Sequence, residues 1–332
     1  MMEGCVISSE VSFSRNIVDL PFPNKLSDFE DAKSVAKAIY EIFGDEFEYI
    51  SLKTLDNNKI YKLLENEEIT STLVENKDIS SYAKNIDKDI KIYINEQDHI
   101  KEICKKSGEC LESCFNVLSK IDNKILSTLD ICYSKKYGFL TSNPKNSGTA
   151  MIARVKLFLP ALTFNNAIEK IEQSLYQNGL TLESDKSMGQ DSYFYILSNK
   201  YTLGIGEEEI IKTVKRGVEI LTELEQKTRQ TLQNVNKSVI IDQGFRAYGI
   251  LTNSYILSCE ECIEKLSKLR FAYVMGLIKL KNVNLIDELY TDCKIAHLQD
   301  YFGLQLSSIE EKIFRAKFVA ENLENKLIKG VK

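Results

Sequence analysis

The sequence predicts an α+β fold: a sheet flanked by helices, followed by an all-helical C-terminal domain. Three observations carry this expectation. Proline occurs only at 21, 23, 144 and 160, so the last 172 residues contain none and long uninterrupted helices are expected there. Short β-rich runs gather between about 90 and 200, and helical periodicity returns at Glu207 and persists nearly to the end. At about 100–200 residues per domain, a chain of 332 residues suggests two units, with a boundary near 236 that separates 1–236 from 237–332.

In chain order, Ser27 followed by Glu30 reads as a capping box. Phe29, Ala32, Val35, Ala36, Ile39, Tyr40 and Phe43 then recur at helical spacing. Strands are expected over Lys91–Asn95, Tyr137–Ser142, Met151–Leu159 and Tyr193–Ser198, separated by helical stretches near 110–130 and 164–178. Strands alternating with helices suggest a sheet covered on one face. From Glu207, the residues Ile210, Val214, Val218, Leu221 and Leu224 keep a helical stripe. Ile240–Ile256, Cys259–Ile278, Asn284–Tyr290 and Ser308–Leu323 read as further helices, punctuated by Gly276 and Gly303. In this last domain Leu266, Leu269, Phe271, Val274 and Leu277 exceed one narrow core stripe. The surplus points either to a dimer surface on an independently folding domain or to a wide face buried within it.

Composition excludes several classes. With 43 Lys+Arg against 48 Asp+Glu the net charge is −5, which argues against a generic nucleic-acid binder. The longest apolar stretches, such as Val155–Leu162, fall far short of the roughly 20 residues a membrane span requires. Met1–Ser9 has no secretory pattern, so a cytoplasmic location and eight reduced cysteines are expected. Cys259-Glu-Glu-Cys262 is half of a zinc pattern, but with only His99 and His297 as other ligands no metal site is expected.

The loop Phe139–Ala150, rich in Pro, Asn, Ser and Gly, can present backbone N–H groups to an anion. Taken with three other segments it becomes more specific. Val6-Ile-Ser-Ser-Glu-Val-Ser-Phe-Ser-Arg-Asn16 with Pro21-Phe-Pro23, Asn95-Glu-Gln-Asp-His-Ile-Lys101, Gly138–Thr149 running into Leu159-Pro-Ala-Leu162, and Ser198–Gly204 before Glu207 appear in one order. Together they resemble the phosphagen kinases, the ATP:guanidino phosphotransferases, and within them the bacterial protein-arginine kinases. Tyr248-Gly-Ile-Leu251 and Leu266-Ser-Lys-Leu-Arg270 resemble the helical domain of that branch. The resemblance implies a mainly antiparallel sheet and phosphoryl transfer from MgATP to a protein arginine. That chemistry needs a cationic cage around the triphosphate and carboxylates that orient the guanidinium.

Carried over residue by residue, the nucleotide positions are Ser8, Ser9, Glu10, Ser12, Arg15, Lys101, Ile152, Ala153 and Arg154. The catalytic positions are Gln97, Asn143 and Glu207. Several depart from the family pattern. Glu10 and Ser12 stand where the first motif has phosphate-gripping arginines, and Lys101 and Ile152 replace two more. Four arginines would supply +4, whereas these residues contribute −1, 0, +1 and 0. Arg154 shares a face with Ile152 if the strand register is ordinary, and Lys156 is another candidate cation. Gln97 replaces the catalytic glutamate and, as an amide, cannot act as a general base. Asn143 replaces the active-site cysteine, while Glu207 is retained. His99 is expected to be a hydrogen-bonded structural histidine, and Arg315 fits a phosphoarginine-binding position on the last helix.

Two functions follow. The favoured one is a pseudokinase acting as a binding or regulatory subunit in stress response and protein degradation; the alternative is an active protein-arginine kinase with a modified site. The resemblance also implies a homodimer, a zinc-containing activator protein, and a Clp-type protease with its heat-shock repressor as partners.

Overall fold

The structure, a computed structural model, describes residues 4–26, 29–85, 89–189, 192–281, 284–324 and 326–328. The capping box expected at Ser27 lies outside the described residues. An eight-stranded sheet is built from β1 (Val6–Arg15), β2 (Phe47–Ser51), β3 (Ser81–Asn85), β4 (Ile90–Ile94), β5 (Ile100–Ser107), β8 (Met151–Phe158), β9 (Leu180–Ser184) and β10 (Phe194–Asn199). A small hairpin, β6 (Tyr133–Ser134) and β7 (Gly138–Phe139), stands apart, as does the C-terminal pair β11 (Lys279–Leu280) and β12 (Leu327–Ile328). The sheet order is β2-β3-β4-β5-β1-β8-β10-β9, with every neighbouring pair antiparallel.

Because successive side chains alternate between faces, β1 turns Val11, Phe13 and Arg15 one way and Ser8, Glu10, Ser12 and Ser14 the other. The first face is the core. Val11 and Phe13 pack with Ile92, Ile100, Cys104, Ala153 and Val155. The helices α1 (Phe29–Phe43), α4 (Leu111–Thr128) and the 29-residue α7 (Glu207–Val235) cover this face through Val35, Ile39, Leu118, Ile125, Val214 and Leu221. On the second face, α2 (Asn57–Glu65) and α3 (Ser71–Glu75) roof β3 and β4, packing Ile60, Ile69 and Leu73 on Tyr82, Tyr93 and Ile103. The middle of that face, over β5, β1 and β8, carries polar side chains.

After two short helices, α5 (Pro160–Phe164) and α6 (Ile168–Gln177), α7 crosses the sheet. Asn236 then separates it from α8 (Lys237–Asn253). Next come α9 (Cys259–Val274), α10 (Asn284–Asp292), α11 (Ile295–Phe302) and α12 (Ser308–Leu323). Gly303 ends α11 with φ 66°, a left-handed position that costs glycine nothing. These helices do not make a closed core of their own. Leu266, Leu269 and Phe271 share one cluster with Phe158, Ala161 and Phe194 of the sheet domain. The Phe271 ring sits 6.0 Å from both Phe164 and Tyr193. Of the apolar surplus, Leu266, Leu269, Phe271 and Leu277 are buried within this chain in that shared cluster and Val274 is half-buried, which favours the buried-face reading for the first four. Among the described residues no helix is long and apolar enough to cross a membrane.

Candidate nucleotide face and its rim

The second sheet face brings together most of the positions the motifs single out. Ser12 lies opposite Ile152, and Glu10 opposite Arg154 on one side and Lys105 on the other. The register is ordinary here, so Arg154 does share the face of Ile152. Its guanidinium nevertheless reaches the Glu10 carboxylate at 3.3 Å. Ser12 is buried and donates to the Ile152 carbonyl at 3.4 Å.

Among the described residues, the cations that project onto this face from β5 and β8 are also paired within the chain, whereas Lys91 on the neighbouring β4 meets no carboxylate within ion-pair distance and donates to Glu67 O at 3.4 Å. Lys101 meets the buried Glu96 at 3.3 Å, and Thr70 donates to the same carboxylate at 2.7 Å. Burial opposes the charge on Glu96, but Lys101 and the Thr70 hydroxyl outweigh it and hold the carboxyl below its usual range. Lys105 and Lys156 converge on Glu67, at 2.6 and 2.9 Å, and Lys156 also meets Asp185 at 2.6 Å. Burial works against the Glu67 charge too, yet Lys156 and then Lys105 overcome it and hold the acid well below the ordinary carboxylate range. Lys101, Lys105, Arg154 and Lys156 contribute +4 and Glu10, Glu67, Glu96 and Asp185 contribute −4, so these pairs sum to zero. A cavity of about 180 Å³ lined by Ser8, Glu10, Arg154 and the Glu67 cluster opens on this face beside a second of about 540 Å³ that reaches the C-terminal domain.

The rim is organised by backbone turns. Asn95 takes φ 56° and its amide donates to Ala32 O and Ile79 O, fixing the turn between β4 and β5. Gln97 at the tip is exposed, and the Ser142 hydroxyl donates to its carbonyl at 2.6 Å. Asp98 accepts from Asn16 Nδ2 at 2.8 Å and Ser142 N at 2.7 Å, tying this turn to the 139–149 loop. In that loop Asn143 caps a short 3-10 turn, Pro144–Asn146, its side chain accepting from Lys145 N. Gly148 has φ 113°, and a Cβ there would fall 2.2 Å from Thr202 O, so only glycine lets the loop lie against the turn that leads into α7. Glu207 opens that helix. Burial raises its pKa, Arg15 opposes the rise, and Asp122 adds to it.

Other expected positions lie elsewhere. Arg15 is 0% exposed on the core face. It makes a bidentate pair with Asp122, both bonds 2.8 Å, donates to Ser14 O and Thr149 O, and stacks 3.8 Å over Phe139. Four of its five N–H donors thus serve the chain, which makes Arg15 a support of the fold on the face opposite Ser12 and Arg154. Ser9 is likewise interior, donating to Gly108 O and accepting from Cys110 N. Ala153 is buried, with its N–H on Asn199 Oδ1. Ser8 alone of the early pair faces the cavity. His99 is buried; Nδ1 accepts from Ile17 N at 3.1 Å, which leaves Nε2 to donate to Pro21 O at 2.8 Å.

Arg315 is 0% exposed, donates to Cys293 O and Leu257 O, and pairs with Glu311, so it ties the connections before α9 and after α10 to α12. Sequence reasoning missed Glu67, Glu96, Asp185 and Lys105, which decide the charge of the face. The buried Glu225 was missed as well. Its carboxylate accepts from Ala161 N and Leu162 N at 3.0 and 2.9 Å, capping α5, and pairs with Arg229 at 2.7 Å. Among the described residues no three His, Cys, Asp or Glu side chains are grouped to hold a metal ion.

The sheet, its helical cover and this polar face define a phosphagen-kinase fold. A lombricine kinase crystal structure superposes with TM-score 0.59 at 22% identity, over 67% of this chain and 66% of that one. The substrate-free duplicated taurocyamine kinase from Schistosoma mansoni gives TM-score 0.60 at 19% identity, over 92% of this chain and 48% of the duplicated chain. A family model described as ATP:guanido phosphotransferase, C-terminal catalytic domain, matches residues 31–228. One described as protein-arginine kinase McsB C-terminal domain matches 237–329. Proteins named protein-arginine kinase are similar end to end. The one from Clostridium botulinum is 37% identical over 323 residues, covering 96% of this chain and 95% of its own. That from Clostridium acetobutylicum is 35% identical over 329 residues, covering 96% of each. The chain belongs to the protein-arginine kinase family of ATP:guanido phosphotransferases.

Proposed function

We propose that this chain is a catalytically silent protein-arginine kinase relative that works as a binding or regulatory subunit in protein quality control. The observation that carries the reading is the internal pairing of Lys101, Lys105, Arg154 and Lys156 on the nucleotide face. A triphosphate is stabilised by unpaired, preorganised positive charge. Here an entering MgATP must compete with Glu10, Glu67, Glu96 and Asp185 for the same lysines and arginine. The residues present do not fit the nucleotide. Gln97 supports the same reading, since it leaves Glu207 as the retained acid of the expected pair.

An active kinase with a rearranged cage is the second reading. It is favoured by Lys105 and Lys156, two cations on the right face outside the motif positions. Acid-labile transfer of labelled phosphate from MgATP to protein arginine separates the two. The silent reading expects none above background for the native chain or for Gln97→Glu alone. The combination Glu10→Arg, Ser12→Arg, Gln97→Glu, Lys101→Arg and Ile152→Arg should restore measurable nucleotide binding. Native turnover near the 1–100 per second of typical kinases would establish the second reading.

A further inference from the structure

Glu67 is placed where a ligand's anionic group would be expected. It sits at the C-terminal end of the α2 segment with φ 55°, a left-handed conformation unfavourable for a residue with a Cβ. From there its carboxylate bridges Lys105 and Lys156 and lies 2.9 Å from Ser187 Oγ, a hydroxyl it shares with the buried Asp185, whose carboxylate is 2.7 Å from the same oxygen and 2.6 Å from Lys156. The lysines project from β5 and β8 on either side of β1, so two sheet ammonium groups and a hydroxyl from the β9–β10 connection converge on one anionic point.

Two cavities meet there. One is the 180 Å³ space over Glu10 and Arg154. The other, about 540 Å³, runs from Ser8, Lys105 and Lys156 to Arg270, Tyr290 and Lys294 of the C-terminal domain. The segment carrying Glu67 is itself held by that domain. Glu65 accepts from Ala296 N at 3.0 Å and His297 N at 3.3 Å at the start of α11. Asn66 Oδ1 meets His297 Nε2 at 2.9 Å, and Lys294 donates to Glu65 O at 3.1 Å.

We propose that Lys105, Lys156 and Ser187 form an anion site for a phosphate-bearing ligand, filled in the resting chain by the Glu67 carboxylate as an internal competitor. The ligand enters by displacing Glu67, and the bonds from Glu65 and Asn66 to α11 let the C-terminal domain hold the competitor in place. This rests on the reading that the nucleotide face is closed in the native chain.

Calorimetric titration with inorganic pyrophosphate tests it. Glu67→Gln keeps the side-chain size but removes the competing charge, and should bind pyrophosphate at least tenfold more tightly than the native chain. Adding Lys105→Met should cancel the gain. An equal gain for MgATP would identify the phosphate group as the element recognised, and a larger one a nucleotide; either supports the site. A folded Glu67→Gln chain with native pyrophosphate affinity overturns it. Hydrogen exchange on the native protein gives a readout that needs no variant: millimolar pyrophosphate should accelerate exchange across residues 64–69, and unchanged exchange also overturns the site. Micromolar MgATP binding by the native chain would instead overturn the silent reading, so the two failures are distinguishable.

Discussion

Replacing Arg15 by methionine tests whether this arginine holds the fold or waits for a phosphate. The native side chain makes two 2.8 Å bonds to Asp122, bonds to two backbone carbonyls, and stacks on Phe139, all at 0% exposure. Methionine fills much of the volume but leaves Asp122 buried without its cation. Losing one partner of a buried pair costs about 3–5 kcal/mol. With a urea slope near 3 kcal/mol per M, that lowers the unfolding midpoint by about 1–1.7 M. Circular dichroism during urea titration measures it. The double change Arg15→Met with Asp122→Leu should cost less than the two single changes summed, because neither charge is then left stranded. An Arg15→Met chain within about 0.5 kcal/mol of native, the range of ordinary surface substitutions, would refute the structural role.

Two further predictions concern buried carboxyls. Glu102 is fully buried beside Asp122; burial first, and then the Asp122 carboxylate, push its pKa well above the usual range, against the pull of Arg15. A raised folded-state pKa contributes stability that is full below the unfolded value of about 4.3 and is lost as pH rises toward the folded value. Glu102→Gln removes that slope, so its stability relative to native should grow between pH 5 and pH 8; a shrinking difference in paired urea titrations would contradict the assignment. Glu225→Ala strands Arg229 and two N–H groups at the start of α5, and should cost about 3–5 kcal/mol in thermal melting, with Glu225→Gln less damaging; a loss below about 1 kcal/mol would remove Glu225 from the fold's supports.

Much of the fold was legible because its signals are local. The strand expected over Met151–Leu159 is β8 at Met151–Phe158, and the helix expected over Ser308–Leu323 is α12 with those bounds. Strand β5 was not read, since its core face carries Glu102 between Ile100 and Cys104 and its outer face mixes Lys101, Ile103 and Lys105, which blurs the period of two. Strand β1 served as a motif and not as a strand, because Ser8, Ser9, Glu10, Ser12 and Ser14 dilute its apolar alternation. The expected strand Tyr137–Ser142 shrinks to Gly138–Phe139, since Asn143 and Pro144 start a turn that needs the chain to bend.

The site was legible as a set of substituted positions but not as an electrostatic whole. Glu67 is 38 residues from Lys105 and 89 from Lys156. No local pattern links them; only the sheet order and the α2–α3 roof do. Arg15 and Arg315 looked like ligands because arginine in a motif suggests a phosphate, whereas a buried guanidinium also serves to satisfy carbonyls and a carboxylate. Counting charges at the motif positions gave zero, and the structure reaches zero for the four paired cations by another route, through partners supplied from distant loops.

The central claim is that the cations of β5 and β8 on the native nucleotide face are already paired within the chain and so are not offered to a triphosphate. Calorimetric titration of the native full chain with MgATP at moderate salt measures this most directly. The account predicts no saturation in the micromolar range, meaning a binding free energy weaker than about −8 kcal/mol. A saturable isotherm with a micromolar Kd would contradict it, since the ion pairs of Glu10, Glu67, Glu96 and Asp185 would then be no barrier to the nucleotide.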